Sequence, residues 1–225
     1  MLSPTQKTAL VTGAARGIGA AIVAELRRHG WTVLTPSRTE LDLASAASVE
    51  SYLAKESPTV DALVNNAGEN PIAPLAQVTP KSWRRAQEIN LNSPLRLIQH
   101  CAAGMRARGG GRIVNISSCY SIVARAGRAP YSASKSGLNS LTRTAAIEYA
   151  PDNILVNAVC PGFVETELTR SNNSPAQIAE LLRGVPLGRL AQPDEIARFV
   201  FFLLSDQNTY ITGQVIPVDG GFLIQ

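Results

Sequence analysis

Metal and disulfide chemistry have little to work with in this sequence. It holds three cysteines, Cys101, Cys119 and Cys160, and two histidines, His29 and His100. An odd number of thiols without CxxC or metal-ligand spacing argues against a disulfide framework or a zinc site, and no metal is expected. The cysteines read as buried or cavity-lining thiols, the histidines as ordinary helix residues. Aromatic residues make up only 5% of the chain, and the basic residues are scattered rather than interleaved with them. The net charge of +4 therefore does not mark a nucleic-acid surface. It suits an anionic small ligand such as a phosphorylated cofactor. Long apolar runs are missing as well. The strongest, "FVFFLL" at 199–204, is far short of the ~20 residues of a membrane span, and "MLSPTQKTALVTG" has no hydrophobic secretory core. The expectation is a cytoplasmic protein with neither membrane nor nucleic acid as partner. Its hydrophobic share of 45% supports one globular domain over residues 1–225.

What is present alternates. Short apolar runs at 8–12, 31–35, 62–66, 112–117, 155–160 and 214–218 read as strands. Between the first two, Ile18, Ile22, Val23 and Leu26 recur at helical spacing, with Gly30 available as a stop. Further helices are expected around Val49, Tyr52 and Leu53, from Thr79 and Pro80 to about Met105, over 131–149 and over 193–204; Ser, Asn and Pro at 171–175 read as a local loop. This alternation predicts an α/β fold, a doubly wound parallel sheet of the Rossmann type.

The first strand-to-helix turn, "TGAARGIG", carries Gly13, Gly17 and Gly19. Without side chains there, backbone N–H groups can approach a pyrophosphate at a helix N-terminus, where the dipole also favours negative charge. Later, "APYSASKSG" places Tyr131 and Lys135 one helical turn apart among small residues. At that spacing the ammonium can sit near the phenol and lower its pKa, tuning Tyr131 as a proton donor or acceptor.

TGxxxGxG at the opening, "NNAG" at 65–68, Ser118, Tyr131-x3-Lys135 and "PGFVETEL" at 161–168 together resemble the short-chain dehydrogenase/reductase superfamily. The segments "GRIVNISS", "PLGRLAQPDEIA" and "YITGQVIPVDGG" are most similar to the group containing the 3-oxoacyl-(acyl carrier protein) reductases. The resemblance implies hydride transfer with a nicotinamide cofactor. It assigns proton transfer to Tyr131, tuning and ribose binding to Lys135, and an oxyanion role to Ser118, thirteen residues upstream of the tyrosine. Asn90, in "EINLN", matches the family asparagine that interrupts its helix and holds a water linking Lys135 to solvent; Pro94 is a separate reason for a kink. For the cofactor it implies Gly13, Arg16, Gly17, Ile18 and Gly19 at the pyrophosphate turn, Asp42 and Leu43 at the adenine, and Asn66, Ala67 and Gly68 beside the ribose. Pro161, Gly162, Val164 and Thr166 fall at the nicotinamide end. Where NAD-selective relatives carry an acidic residue after the second strand, this chain has Ser37 and Arg38, and Arg16 lies within the turn. This predicts NADP(H) over NAD(H), with Glu40 the feature against it.

Only residues 39–41 separate the second strand region from Asp42, too few for a parallel crossover. The family's helix between strands 2 and 3 is therefore expected to be missing, leaving six main strands. The resemblance also implies a homotetramer, or a homodimer. Substrate is not legible: Arg125 and Arg128 read as solvated surface arginines, with attraction of an acidic substrate as the alternative, and Arg106 and Arg108 pose the same choice toward an acidic carrier protein. Three readings stay open: an NADPH-dependent carbonyl reductase, an alcohol, sugar or steroid dehydrogenase, and a dinucleotide-sensing module without turnover.

Overall fold

The computed structural model describes residues 6–56 and 59–224. In chain order it contains β1 (Thr8–Val11), α1 (Gly17–Arg28), β2 (Thr32–Leu34), α2 (Ala46–Glu56), β3 (Ala62–Asn65), α3 (Pro80–Gln87) and α4 (Ser93–Ala107). There follow β4 (Gly111–Ile116), α5 (Ala129–Tyr149), β5 (Ile154–Pro161), α6 (Glu167–Asn172), α7 (Pro175–Arg183), α8 (Pro193–Leu204) and β6 (Val215–Val218). All neighbouring strands pair in parallel, in the order β2-β1-β3-β4-β5-β6. The chain leaves β1 toward one edge and returns on its other side with β3, which opens a crevice at the carboxyl ends of these two strands.

The inner strands β1, β3, β4 and β5 are buried on both faces and so read as nearly continuous apolar runs, while the edge strands β2 and β6 are partly exposed. On one face α1 and α8 pack through Ile22, Leu26, Ile196, Val200 and Leu203. On the other, α2, α4 and α5 pack through Val49, Leu53, Leu97, Ile98 and Ala145. Leu10, Leu63, Ile113 and Ile154 are fully buried in the sheet, and each such side chain contributes roughly 2 kcal/mol of transfer free energy.

A polar ladder crosses this core. Asn65 and Asn115 are register partners on β3 and β4. Asn65 Nδ2 donates to Asn115 Oδ1 at 2.9 Å, Asn115 Nδ2 donates to Thr142 Oγ1 at 2.9 Å, and Thr142 Oγ1 donates to Leu138 O at 2.8 Å. These bonds tie α5, the helix that carries Tyr131 and Lys135, to the middle of the sheet. Buried polar groups of this kind fix register because misplacing them leaves desolvated donors without acceptors.

The shortened connection after β2 is present as expected. Glu40 N and Leu41 N turn back onto Ser37 O at 3.2 and 2.9 Å, Ala44 N onto Asp42 Oδ1 at 3.0 Å, and the chain enters α2 directly. β2, three residues long, is left as the sheet edge. Residues 171–175 depart from the expected loop: 171 and 172 finish α6, and Ser174 and Gln177 form a capping box that starts α7 with Pro175 in its first turn. Ser-x-x-Gln ahead of an apolar stretch satisfies two of the free N–H groups of a helix start, so a helix forms there at once.

The segment 80–105 is also more divided than its periodicity suggests. Thr79 caps α3 by accepting from Ser82 N, and a π-helical turn, Glu88–Asn92, separates α3 from α4. Asn90 lies within that turn, fully buried.

Candidate active site

Two adjoining cavities open at the carboxyl ends of the strands. The first, about 350 Å³, is lined by the glycine turn, Asn66 to Gly68, Ser117 to Tyr120, Arg128, Tyr131, Lys135 and the segment after β5. The second, about 590 Å³, shares Gly13, Arg16, Ala67 and Gly68 and extends along Ser37, Arg38, Asp42 and Leu43. Of the residues selected from sequence, Gly13, Arg16, Gly17, Ile18, Gly19, Asn66, Ala67, Gly68, Ser118, Tyr131, Lys135, Pro161, Gly162, Val164 and Thr166 thus meet around the first cavity, and Ser37, Arg38, Asp42 and Leu43 around the second. Asn90 lines neither.

The glycine turn is close-packed against its neighbours. Gly13 and Gly17 have φ of +65° and +55°, a region that L side chains rarely adopt. A Cβ on Gly19 would stand 2.2 Å from Gly13 O, and one on Gly17 would stand 3.2 Å from Thr166 Cγ2. Helix α1 begins just behind the turn without a side-chain cap and without an acidic residue in its first turn. Its leading N–H groups and the positive end of its dipole therefore face the crevice. The opposite wall is held by Thr12, whose hydroxyl accepts from Asn66 N and Ala67 N, both at 3.1 Å, while Asn66 Nδ2 donates to Thr12 O and Gly13 O. Thr12 was not among the residues read from sequence; its position directly before Gly13 was the available signal.

At the other end, β4 delivers Ser117 and Ser118 and α5 delivers Tyr131 and Lys135. The two serines point to different tasks. Ser117 Oγ donates to Lys135 O at 3.4 Å, whereas Ser118 Oγ accepts from Tyr120 N at 3.1 Å. The Ser118 hydroxyl also lies within hydrogen-bonding reach of the Tyr131 phenol. Lys135 is buried, and its Nζ donates to Ile116 O at 2.7 Å while lying 5.9 Å from the centre of the Tyr131 ring. Burial lowers the Lys135 ammonium to about 8.

The expected lowering of the Tyr131 pKa is not found. Burial raises the phenol to about 12, opposed by the Ser118 hydroxyl and, more weakly, by the charge of Arg128; Lys135 is not among the groups that move it. Desolvation of a phenolate outweighs a cation whose proton is directed at a backbone carbonyl. In this arrangement Tyr131 is a proton-bearing group at neutral pH.

Asn90 sits behind this cluster. Its Oδ1 accepts from Glu69 N at 3.0 Å, and its Nδ2 donates to Glu69 O at 2.9 Å and to Ser134 Oγ at 3.0 Å. A Cβ on Gly68 would come within 3.1 Å of Asn90 Oδ1 and 3.5 Å of Lys135 Nζ, so the three groups form one packed layer. The π-helical turn is what aims the Asn90 amide inward.

Arg128 corrects the sequence reading. It is 6% exposed and lines the first cavity, so it is not a solvated surface arginine. Arg125 does remain exposed, donating to Tyr120 Oη at 2.8 Å. All three cysteines are buried free thiols. Among the described residues no His, Cys, Asp and Glu cluster could hold a metal, and no helix is long and apolar enough to cross a membrane.

This geometry has close counterparts. A family model described as enoyl-(acyl carrier protein) reductase matches residues 36–223, and one described as short chain dehydrogenase matches 7–51. The chain is 37% identical to cis-4-hydroxycyclohexanecarboxylate dehydrogenase of Sinomonas cyclohexanicum, covering 96% of each chain. It is 39% identical to the 3-oxoacyl-(acyl-carrier-protein) reductase FabG of Escherichia coli (strain K12), again covering 96% of each. A solved structure of a putative NAD(P) dependent gluconate 5-dehydrogenase from Beutenbergia cavernae, with bound NADP, superimposes with a TM-score of 0.94 at 34% identity over 99% of both chains. With the parallel sheet, the glycine turn and the Ser118, Tyr131 and Lys135 cluster at one crevice, the chain belongs to the short-chain dehydrogenase/reductase family of NAD(P)-dependent oxidoreductases acting on CH–OH and C=O groups.

Proposed function

We propose that this protein is an NADP(H)-dependent carbonyl reductase, acting on a ketone or 3-oxoacyl carbonyl, with Tyr131 as its general acid and base. The observation that carries the reading is the convergence of Ser118, Tyr131 and Lys135 on a cavity whose other wall is the glycine turn.

The residues fit a dinucleotide. A Cβ at Gly19 would collide with Gly13 O and Asn66 Nδ2, so glycine keeps the turn tight against the crevice, and the uncapped start of α1 supplies N–H donors and a favourable dipole. In this reading Asn66 to Gly68 hold the ribose side, Val164 and Thr166 the carboxamide, and Asp42 and Leu43 border the adenine. The cofactor, when bound, supplies the hydride.

The protein's own part is orientation and the proton. Ser118 donates to the carbonyl oxygen as negative charge develops there. Tyr131, protonated at neutral pH, gives its proton to that oxygen, and in the reverse direction accepts it. Lys135, charged at pH 7 and turned onto Ile116 O, grips the ribose. Asn90 acts as a positioning residue, holding the loop after β3 against α5 beside Lys135.

The preference for NADP(H) rests on Arg16 and Arg38 and on the absence of a carboxylate among the four residues that follow β2 along the second cavity, Thr35 to Arg38. Arg38 stays largely solvent-exposed with Asp42 at 3.7 Å, and the carboxylate of Glu40, also exposed, is occupied in accepting from Ser37 N at 2.7 Å. Arg16 is paired with Glu167 at 2.7 Å, both exposed, a contact that a phosphate can exchange. The direct test is to follow NADPH consumption with acetoacetyl thioesters, ketones, quinones and keto sugars. Consumption with at least one class is expected; none in either direction would remove the reading.

We also read the protein as a cytoplasmic homotetramer. Exposed Trp83 on α3, Leu95 on α4 and Ile147 on α5, together with the half-exposed edge strand β6, support pairing through these elements. Sedimentation as a monomer at micromolar concentration would count against it.

A further inference from the structure

Arg128 stands at the threshold of α5, as the residue before its first turn and three positions ahead of Tyr131. Its side chain enters the first cavity yet is nearly fully buried. The Nη1 atom is buried with no hydrogen-bond partner, and among the described residues the guanidinium takes part in no ion pair. The Tyr120 ring lies 5.8 Å from the guanidinium carbon. A cation–π contact of this length offsets little of the cost of desolvating a permanent charge.

Electrostatics point the same way. The groups that act on Arg128 are Tyr120, Arg125 and Tyr131, none of which is a carboxylate. The two acidic residues lining the same cavity are already committed: Glu69 to Arg85 at 2.8 Å and Glu167 to Arg16 at 2.7 Å. A buried Nη1 donor on a charged group, with no anion beside it, calls for an explanation. Tyr120, Phe163 and Leu181 add apolar surface to the same cavity, and none of its other lining residues carries a free negative charge.

We propose that Arg128 binds a carboxylate of the substrate, so that the protein acts on small oxo acids and the matching hydroxy acids. Three residues along a helix correspond to roughly 4.5 Å of rise. Arg128 therefore anchors an anion close to the carbonyl addressed by Ser118 and Tyr131, a few carbons away rather than at the far end of a long acyl chain. Arg is suited to this place because its planar donors meet both carboxylate oxygens and it keeps its charge when buried. The inference deepens the oxidoreductase reading and rests on it for the chemistry, though not for the binding.

The test uses pyruvate, acetoacetate and levulinate, each beside its methyl ester. With NADPH, at least one acid is expected to be turned over with a kcat/KM about 30-fold or more above its ester, the scale of one charge-assisted hydrogen-bonded pair. In Arg128→Met that acid falls by a similar factor, mainly through KM, while its ester falls by far less; Arg128→Lys restores part of the loss. Turnover of esters or neutral ketones with no preference for acids would overturn the proposal and leave the oxidoreductase reading standing. If nothing is turned over, calorimetric binding of the same three acids to the NADPH-loaded protein decides. Binding that Arg128→Met abolishes upholds the site alone, and binding indifferent to residue 128, or none, sinks it.

Discussion

The two ends of the crevice are built differently. At the chemical end, Ser118, Lys135 and Asn90 are buried, and each is fixed by hydrogen bonds to backbone or to another buried side chain. At the β2 end, Arg38, Glu40 and Ser37 lie in an exposed turn, where Ser37 bonds Glu40 and Arg38 faces Asp42. The buried end sits over the polar ladder of Asn65, Asn115 and Thr142; the exposed end has lost a helix and a strand relative to the pattern expected of the family, and the sheet stops at a three-residue edge. Exposed ion pairs contribute little to stability and rearrange easily. Reaction type is thus held by the part of the fold that cannot move without breaking the core, and cofactor choice by a part that can change cheaply.

Replacing Tyr131 by Phe should break the buried end with the largest effect. The ring still packs, so NADPH affinity by fluorescence titration should hold, while turnover drops by about 10³-fold, within the range removed with a general acid. Undiminished turnover would refute the assignment of the proton to Tyr131.

Replacing Arg38 by Ala should act on the other end alone. The ratio of kcat/KM for NADPH over NADH is expected to fall by about 10-fold or more, the scale of a charge-assisted contact to phosphate, with kcat nearly unchanged. An unaltered ratio, or a better rate with NADH in the parent protein, would remove the claimed NADP(H) preference.

The smallest expected effect is on stability against pH. Lys135 has its folded pKa near 8, below its ordinary 10.5, because of burial. Between these values the unfolded chain binds more protons than the folded one, so stability should rise as pH increases from about 8 toward 10. Tyr131 acts in the opposite sense, but only above its ordinary value of 10. Denaturant unfolding of Lys135→Met should show a flatter profile across that window; an identical slope would show that the buried ammonium is not its source.

How much of this could be read beforehand differs between the same two ends. The strands fall within a residue or two of their expected positions because parallel strands buried on both faces need continuous apolar runs. The abbreviated turn after β2 was legible from a count of residues against the length of a crossover. The capping box of α7 was written in Ser174 and Gln177 and went unread, since a cluster of Ser, Asn and Pro has the composition of a loop. Arg128 was misread for a different reason. A short segment of small residues and arginines looks like solvated surface, and only the packing of Tyr120 and the neighbouring loops over it makes it buried.

By itself, the sequence determined what depends on neighbours along the chain: the alternation of strand and helix, the glycines that admit positive φ and close approach, and the one-turn spacing of Tyr131 and Lys135. The tertiary structure alone decided what depends on desolvation. It set the direction of the Tyr131 pKa, turned the Lys135 ammonium onto Ile116 O, placed Asn90 behind Gly68, and left Arg128 charged, buried and facing the cavity. Each of these is a balance between a charge or dipole and the atoms that exclude water from it. Those atoms come from segments far apart in the chain.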